Sequence, residues 1–300
     1  MSRTSIRSLS TCTFDQALEL WNAGFQGYRV NMTRSMEAYL ARFHDDGLSP
    51  ELSLVAFAGG EPAGFLLNGI RQHADKKVAW NGGTAVRPEF RGQGIGKLLV
   101  RAALDLYKEQ SVEVATLEAL SDNKSAIGLY ESFGYRTVDR LLFLQHDGAL
   151  KNNPFGDSSR YTITLVPPAA AGALPMYDAD AAWPTQWQNI AAKGGEAAIA
   201  HDDNGETIGY ALFTTTLSEA GAVPAITLYQ CVVAPGRNDA ENVFAALLNK
   251  VYAPGQLKCR RSTFNLSARA EIVTRQLTSA GFTLFIDQFH MVAQLRHSDV

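Results

Sequence analysis

Three hundred residues and 32.6 kDa exceed what one compact domain usually holds and suit two. Hydrophobic residues at 46% and charged residues at 19% exclude general disorder. A net charge of −3 with a pI near 6.1 argues against gripping a nucleic-acid backbone, and no apolar run approaches bilayer-spanning length. In chain order, Thr13-x-x-Gln16 is a capping-box pattern that opens a helix with Leu18, Trp21 and Phe25 on one face. Thr33 reads as the N-cap of a second helix carrying Met36, Leu40 and Phe43. Residues 52–58 and 64–71 read as strands joined through Gly59-Gly60, a hairpin signal. Further strands are expected at 78–86 and 112–120. Between them Leu99, Ala102, Ala103, Leu106 and Tyr107 recur at helical spacing. A short helix over 124–132 and a closing strand or strand pair over 136–145 complete a mixed α/β sheet.

The chain then repeats itself. Gly60-Glu61-Pro62-Ala63-Gly64-Phe65 recurs as Gly205-Glu206-Thr207-Ile208-Gly209-Tyr210, and Val86-Arg87-Pro88 recurs as Val233-Ala234-Pro235. Asn123-Lys124-Ser125-Ala126 reappears as Asn265-Leu266-Ser267-Ala268, and Ser132-Phe133-Gly134-Tyr135 as Ser279-Ala280-Gly281-Phe282. Four matches in the same order at nearly constant spacing indicate a tandem duplication. The expected seam is the turn-rich stretch 146–159, giving domains at 1–150 and 155–300.

One segment carries chemistry. In Val86-Arg87-Pro88-Glu89-Phe90-Arg91-Gly92-Gln93-Gly94-Ile95-Gly96-Lys97, three alternating glycines lie between a strand end and an apolar-periodic helix. Residues without Cβ let several backbone N–H groups turn into one concavity, and the helix adds its positive dipole end, which suits a pyrophosphate. A tight turn that merely tolerates glycine explains one or two of the three. The register fits neither a Walker A loop, because Leu98 follows Lys97, nor G-x-G-x-x-G, because Lys97 stands at the third glycine.

Arg91-x-x-Gly94-x-Gly96, preceded by Val-x-Pro and followed by an amphipathic helix, resembles the acetyl-coenzyme A signature of the GNAT superfamily of N-acetyltransferases. A second block of that family is matched by Leu117-Glu118-Ala119-Leu120 and by Asn123-x-x-Ala126-x-x-Leu129-Tyr130-x-x-x-Gly134-Tyr135. The resemblance covers residues 50–140 and implies two tandem GNAT-like domains, an α+β fold with a mixed sheet. It further implies transfer of an acetyl group from acetyl-CoA, as acyl-donor cosubstrate, to a primary amine of a small molecule or peptide. By that resemblance, Thr84, Ala85 and Val86 would lie along the pantetheine arm, with a backbone N–H positioned to polarise the thioester carbonyl. Arg91, Gly92, Gln93, Gly94, Ile95, Gly96 and Lys97 would hold the diphosphate, with Arg91 or Lys97 near a phosphate. Asn123 stands at the family's polar position beside the arm, a place that a helix N-cap also explains.

Tyr130 matches the tyrosine that family members place near the thioester sulfur; a phenol is a workable donor to a leaving thiolate, whereas packing between helix and sheet is the alternative. Glu118 is the candidate base, in a pattern similar to the ribosomal-protein alanine acetyltransferase subgroup. A polar residue alternating out of a half-buried strand, or a water chain doing the proton transfer, remains open. The preceding strand, ending Asn81-Gly82-Gly83-Thr84, offers no carboxylate. Tyr28 and Arg29 are candidate acceptor-binding residues on the loop after the first helix.

In the second copy, aligning Pro235 with Pro88 puts Asp239, Glu241 and Val243 at the positions of Gly92, Gly94 and Gly96, and aligning Gly281 with Gly134 puts Leu277 at Tyr130. Two carboxylates there would repel a diphosphate, so residues 155–300 are expected to be a degenerate domain that binds no acetyl-CoA. Strands at 225–233 and 282–295 and a helix with Phe244, Leu247, Leu248 and Val251 keep the scaffold.

Cys12, Cys231 and Cys259 show no metal-type spacing, and His44, His73, His146, His201, His290 and His297 are scattered, so no metal is assigned. With no apolar core in the first residues, MSRTSIRSLSTC, a cytoplasmic protein is expected. The expected partners are an amine-bearing acceptor and neither nucleic acid nor membrane. A monomer with an internal pseudo-dimer is expected, a homodimer being the other arrangement. A non-catalytic acyl-CoA-binding regulator is the alternative function.

Overall fold

The structure, a computed structural model, describes residues 4–73, 75–150, 153–156, 160–252 and 257–295. The chain divides into two compact units, one of residues 1–138 and 290–300, the other of residues 139–289. The boundary at 138/139 falls within the strand over Arg136–Gly148, ahead of the expected seam at 146–159.

Unit 1 opens with a strand that the sequence does not announce, β1 (Thr4–Ser8), which pairs antiparallel with β2 (Ser49–Ala58) from Thr4↔Ala58 to Ser8↔Leu54. Helix α1 (Phe14–Gly24) starts as expected. The Gln16 N–H donates to Thr13 Oγ1 at 3.2 Å and the Thr13 N–H to Gln16 Oε1 at 3.0 Å. Helix α2 (Met36–Asp45) is capped by Ser35, not Thr33. The Thr33 N–H goes to Asn31 Oδ1 at 3.0 Å, which holds that residue in a local turn two positions before the helix. The hairpin of β2 and β3 (Glu61–His73) leads to β4 (Lys76–Val86), helix α3 (Ile95–Glu109), β5 (Val114–Leu120) and helix α4 (Lys124–Glu131). Ile95, Leu99, Val100, Ala103 and Tyr107 form the buried stripe of α3, an apolar face about 3.6 residues in period. Strand order runs β1-β2-β3-β4-β5, and on the far side of β5 comes the end of the last strand, where the Leu295 N–H donates to the Glu113 carbonyl at 2.7 Å.

Unit 2 takes most of β6 (Arg136–Gly148) and continues through β7 (Thr162–Val166), α5 (Pro168–Gly172), α6 (Trp187–Ala192), β8 (Glu196–His201), β9 (Thr207–Thr216) and β10 (Ala225–Val233). It closes with α7 (Ala240–Tyr252), β11 (Cys259–Thr263), β12 (Leu266–Ser267), α8 (Glu271–Ser279) and the greater part of β13 (Thr283–Gln294). Its strands run β6-β11-β10-β9-β8-β7, with β12 on β6. Val243, Leu247, Leu248 and Val251 of α7 bury against them.

The repeat is visible atom by atom. A Cβ on Gly64 would stand 2.8 Å from the Ala85 carbonyl oxygen and 3.2 Å from Val86 Cγ2; on Gly209 it would stand 2.8 Å from the Val232 carbonyl oxygen and 3.3 Å from Val233 Cγ2. The Arg87 N–H donates to the Ala63 carbonyl and the Ala234 N–H to the Ile208 carbonyl, each at 2.9 Å. The matching residues are therefore alike because the same backbone crossing leaves room only for glycine. No helix among the described residues is long and apolar enough to cross a membrane.

Candidate active site

The site begins with a parting of strands. β4 and β5 pair in parallel from Val78↔Val114 to Asn81↔Leu117 and no further. A register shift between Leu67 and Asn68 leaves Gly82 as an extra residue on β4, and such a bulge turns a strand away from its neighbour. Beyond it β4 stays paired with β3, from Gly83↔Leu67 to Val86↔Gly64, so one edge of residues 82–86 faces an opening. Backbone N–H and C=O groups on an unpaired edge are open to an extended ligand that carries amides.

The Gly-rich turn lies at the end of the same strand. Gly92 and Gly94 have φ of 75° and 79°, the left-handed region, and a Cβ at either would meet no atom within 4 Å. The glycines are therefore required by conformation, with the space above them left open. Gly94 caps α3 without a side chain, and the first intrahelical bond is Leu98 N–H to the Gly94 carbonyl at 3.1 Å. The amides of Ile95, Gly96 and Lys97 thus have no carbonyl within the helix to bond. Arg91 has another task than the one expected of its side chain. Its Nε donates to the Val86 carbonyl at 3.0 Å, and Nη2 donates to those of Gly24 and Gln26 at 3.0 and 2.9 Å. The guanidinium fastens the loop to α1, a geometry that five fixed donors allow.

Glu118 is the first residue of β5 beyond the pairing with β4. The Trp80 indole N–H donates to its Oε2 at 2.8 Å, while Oε1 is buried without a hydrogen-bond partner. Burial raises its pKa to about 7; the Trp80 bond and the Arg42 charge pull the other way, and Asp46 adds to the rise. Tyr130, from α4, is buried, and its hydroxyl is hydrogen-bonded to Thr84 and Asn81 at the point where the strands part. Burial raises its pKa and those two bonds oppose the rise. Asn81 also fixes the turn, its Oδ1 accepting from the Gly83 N–H at 3.1 Å and from Thr84 Oγ1 at 3.1 Å. Ala85 is buried against α1.

Asn123 is the N-cap of α4, its Oδ1 accepting from the Ala126 N–H at 3.1 Å, and it is also hydrogen-bonded to the Tyr28 hydroxyl. Arg29 pairs with Asp122. The two loop residues expected to meet an acceptor therefore tie the loop after α1 to the turn before α4. Sequence reasoning missed Trp80 and Arg42, placed beside Glu118 and β4, and Arg34, placed over the Trp21 ring, because each depends on contacts between distant segments. Their only sequence signal is an aromatic on a strand, an arginine just before a helix and another in that helix's last turn.

Unit 2 has the same frame with other contents. β10 and β11 pair in parallel from Ala225↔Arg260 to Leu228↔Thr263, and β10 bulges between Leu228 and Gln230. By register, Phe264 stands where Glu118 does and Tyr229 where Gly82 does. Their rings meet with centroids 5.7 Å apart. Before α7, Asp239 takes a two-pronged bond from Arg237 at 2.8 and 2.9 Å and the Tyr161 hydroxyl at 3.0 Å, which together hold its carboxyl down at about 2. Its carbonyl accepts from the Asn242 and Val243 N–H groups, and Glu241 pairs with Arg275. Asn265, which aligns with Asn123, is not a cap: α8 begins after Ala270. Among the described residues no three His, Cys, Asp or Glu side chains gather as metal ligands; His297 lies outside them.

Comparison with known proteins agrees with this frame. Residues 14–135 match the model of the acetyltransferase (GNAT) family. An uncharacterized N-acetyltransferase of Methanocaldococcus jannaschii is 27% identical over 140 residues, 44% of this chain and 60% of the relative. A Bacillus subtilis relative, provisionally named for alanine N-acetylation of ribosomal protein bS18, is 44% identical over 81 residues, 27% of this chain and 47% of the relative. The chain spans about half to three-fifths of the length of the curated relatives it matches. A tandem GNAT protein from the clavulanic acid biosynthesis pathway has the same fold, with a TM-score of 0.60, 15% identity and full coverage of both chains.

Proposed function

Because residues 14–135 form a domain of the acetyltransferase (GNAT) family, we propose that this protein transfers the acetyl group of acetyl-CoA to a primary amine, using unit 1 alone. The observation that carries the reading is the parting of β4 and β5, with Glu118 and Tyr130 brought to it from β5 and α4. Acetyl-CoA fits the residues present. Gly92 and Gly94 leave a Cβ-free cradle, and the first-turn amides of α3 lack carbonyls to bond. When bound, it supplies an activated acyl group and a thiolate leaving group.

In this reading the amides of 92–97 hold the diphosphate, and the free edge of Thr84, Ala85 and Val86 takes the amides of the arm. Arg91 shapes the cradle by anchoring it. Asn123 holds the start of α4, which presents Tyr130. Glu118, with a pKa of about 7, accepts a proton from the incoming ammonium at its partnerless Oε1. The amine nitrogen then bonds to the thioester carbonyl carbon and the C–S bond breaks. Tyr130 donates its phenolic proton to the departing sulfur and takes back the second proton that the nitrogen sheds on becoming an amide, while Glu118 returns its own to solvent. Unit 2 binds no acetyl-CoA, since Phe264 and Tyr229 occupy the parting and Asp239 the turn.

Calorimetric titration with acetyl-CoA, followed by thiol release against a panel of amines, tests this. One site per chain and amine-dependent release support it. Two sites overturn the assignment to unit 1, and binding without release for any amine leaves an acyl-CoA-binding regulator.

A further inference from the structure

Unit 1 buries more positive charge beside the parted strands than this chemistry uses. Arg42, on α2, keeps only 11% of its side chain exposed. Its Nε donates to Asp46 Oδ2 and its Nη2 to the Gly82 carbonyl, each at 2.9 Å, while Nη1 is buried and has no acceptor. That idle Nη1 lies 3.9 Å from where a Cβ on Gly83 would stand, so it faces the stretch of β4 that has left β5. Arg34, just ahead of α2, has a buried Nε that also lacks an acceptor. Both guanidinium groups lie near the Trp21 ring, with Cζ 5.6 Å (Arg34) and 4.9 Å (Arg42) from its centroid. Burial and the charge of Arg42 lower the Arg34 pKa, with Asp46 alone opposing. A desolvated guanidinium with unmade bonds is costly, and each of these two leaves one buried donor unused.

Trp80 relates this charge to the candidate base. Its indole N–H reaches Glu118 at 2.8 Å, and Arg42 Cζ is 6.0 Å from its ring. A carboxylate and a guanidinium therefore flank one indole, a charge pattern complementary to a zwitterion. We propose that Arg34 and Arg42 form the anion-binding end of the acceptor site, and that the acceptor is an amine bearing a carboxylate. Its ammonium meets Glu118 while its carboxylate takes the idle donors of the two arginines. The inference rests on the acetyl-transfer reading only in identifying the other end of the same molecule. Charge-assisted bonds of this kind are the strong ones, and an uncharged ester cannot replace them.

The test compares glycine, phenylalanine, lysine and glutamate with their methyl esters as acceptors in the thiol-release assay. The acids are expected to exceed the esters at least tenfold in kcat/KM. Arg34→Gln should bring that ratio within about twofold, chiefly through KM, and Arg34→Lys should restore part of it. Arg34 is the informative position because its backbone is held independently: the Asn22 amide donates to its carbonyl at 3.2 Å and its N–H donates to Asn22 Oδ1 at 2.9 Å. Acetyl-CoA affinity serves as the folding control. Esters used as well as acids, or a ratio that survives Arg34→Gln, overturns the proposal. If no acceptor releases thiol, acetyl transfer to these amines fails, and calorimetry of the four amino acids decides the anion site. Binding lost in Arg34→Gln sustains it, and no binding overturns it.

Discussion

Units 1 and 2 share a backbone plan and differ where that plan opens. Both run a β-hairpin into a parallel pair, with a bulge at the last paired residues and a helix crossing between the strands. In unit 1 the bulge is followed by Glu118 and a cradle of glycines. In unit 2 the corresponding places hold the Phe264–Tyr229 ring contact and the Asp239–Arg237 fork. The comparison separates what a fold needs from what a site needs. Gly64 and Gly209 persist because a carbonyl crosses them, whereas Gly92 and Gly94, where an added Cβ would meet nothing, are aligned with Asp239 and Glu241. A residue that only the ligand requires is free to change once the ligand is gone.

The largest expected effect lies at Glu118, which unit 2 lacks. Glu118→Gln should lower kcat by about 10²–10⁴-fold while acetyl-CoA affinity is unchanged, and Tyr130→Phe by about 10²-fold. Steady-state kinetics beside calorimetry checks both; retained turnover would make the two units more alike than proposed. Next, Gly94→Glu forces a side chain into the left-handed region and points a carboxylate at the diphosphate. Acetyl-CoA affinity should fall by about two orders of magnitude. Glu241→Gly in unit 2 should leave the stoichiometry at one.

The pH profile gives a third test. With a pKa of about 7, Glu118 must lose its proton to act, so kcat/KM should rise through a limb near pH 7 that Glu118→Gln abolishes. Stability should run the other way. A carboxyl raised in the folded state binds more protons folded than unfolded, so its contribution is intact below the unfolded value and falls as pH rises to about 7. Glu118→Gln should therefore raise Tm more at pH 8 than at pH 5.

Gly64→Ala and Gly209→Ala test the shared part. Each places a Cβ at 2.8 Å from a carbonyl oxygen, and each should destabilise by about 1–3 kcal/mol in thermal unfolding. Unequal losses would mean that the crossings are not equivalent. The smallest effect is expected for Asp239→Asn, under about 1 kcal/mol because its ion pair is partly open to solvent. That contribution is present above the usual carboxylate range and lost as pH falls through about 2.

Much of this was legible in the sequence. The capping box at Thr13, the hairpin at Gly59-Gly60 and the helix stripe of Leu99 and Tyr107 depend on local spacing, and the repeat on short matches that recur in the same order. β1 was missed because Thr4–Ser8 carries one large apolar residue and gains its pairing from β2, fifty residues on. Thr33 yielded its capping role to Ser35 through a side-chain bond that spacing does not reveal. The glycines and the positions of Glu118 and Tyr130 were readable as motif. The Trp80 bond to Glu118, the anchoring of Arg91 to three carbonyls and the buried arginines were not, since each needs two segments brought together by the fold.

One consequence concerns the order in which the chain is made. Residues 290–295, which lie beside β5, are synthesised after the whole of unit 2. A ribosome that has released residues 1–138 has therefore exposed a sheet whose last hydrogen-bonding edge still awaits its neighbour. Unit 2, contiguous in the chain, has all its residues before that neighbour arrives. Translation halted between residues 139 and 289 would therefore leave unit 1, whose other residues are made first, without the strand that lies beside β5.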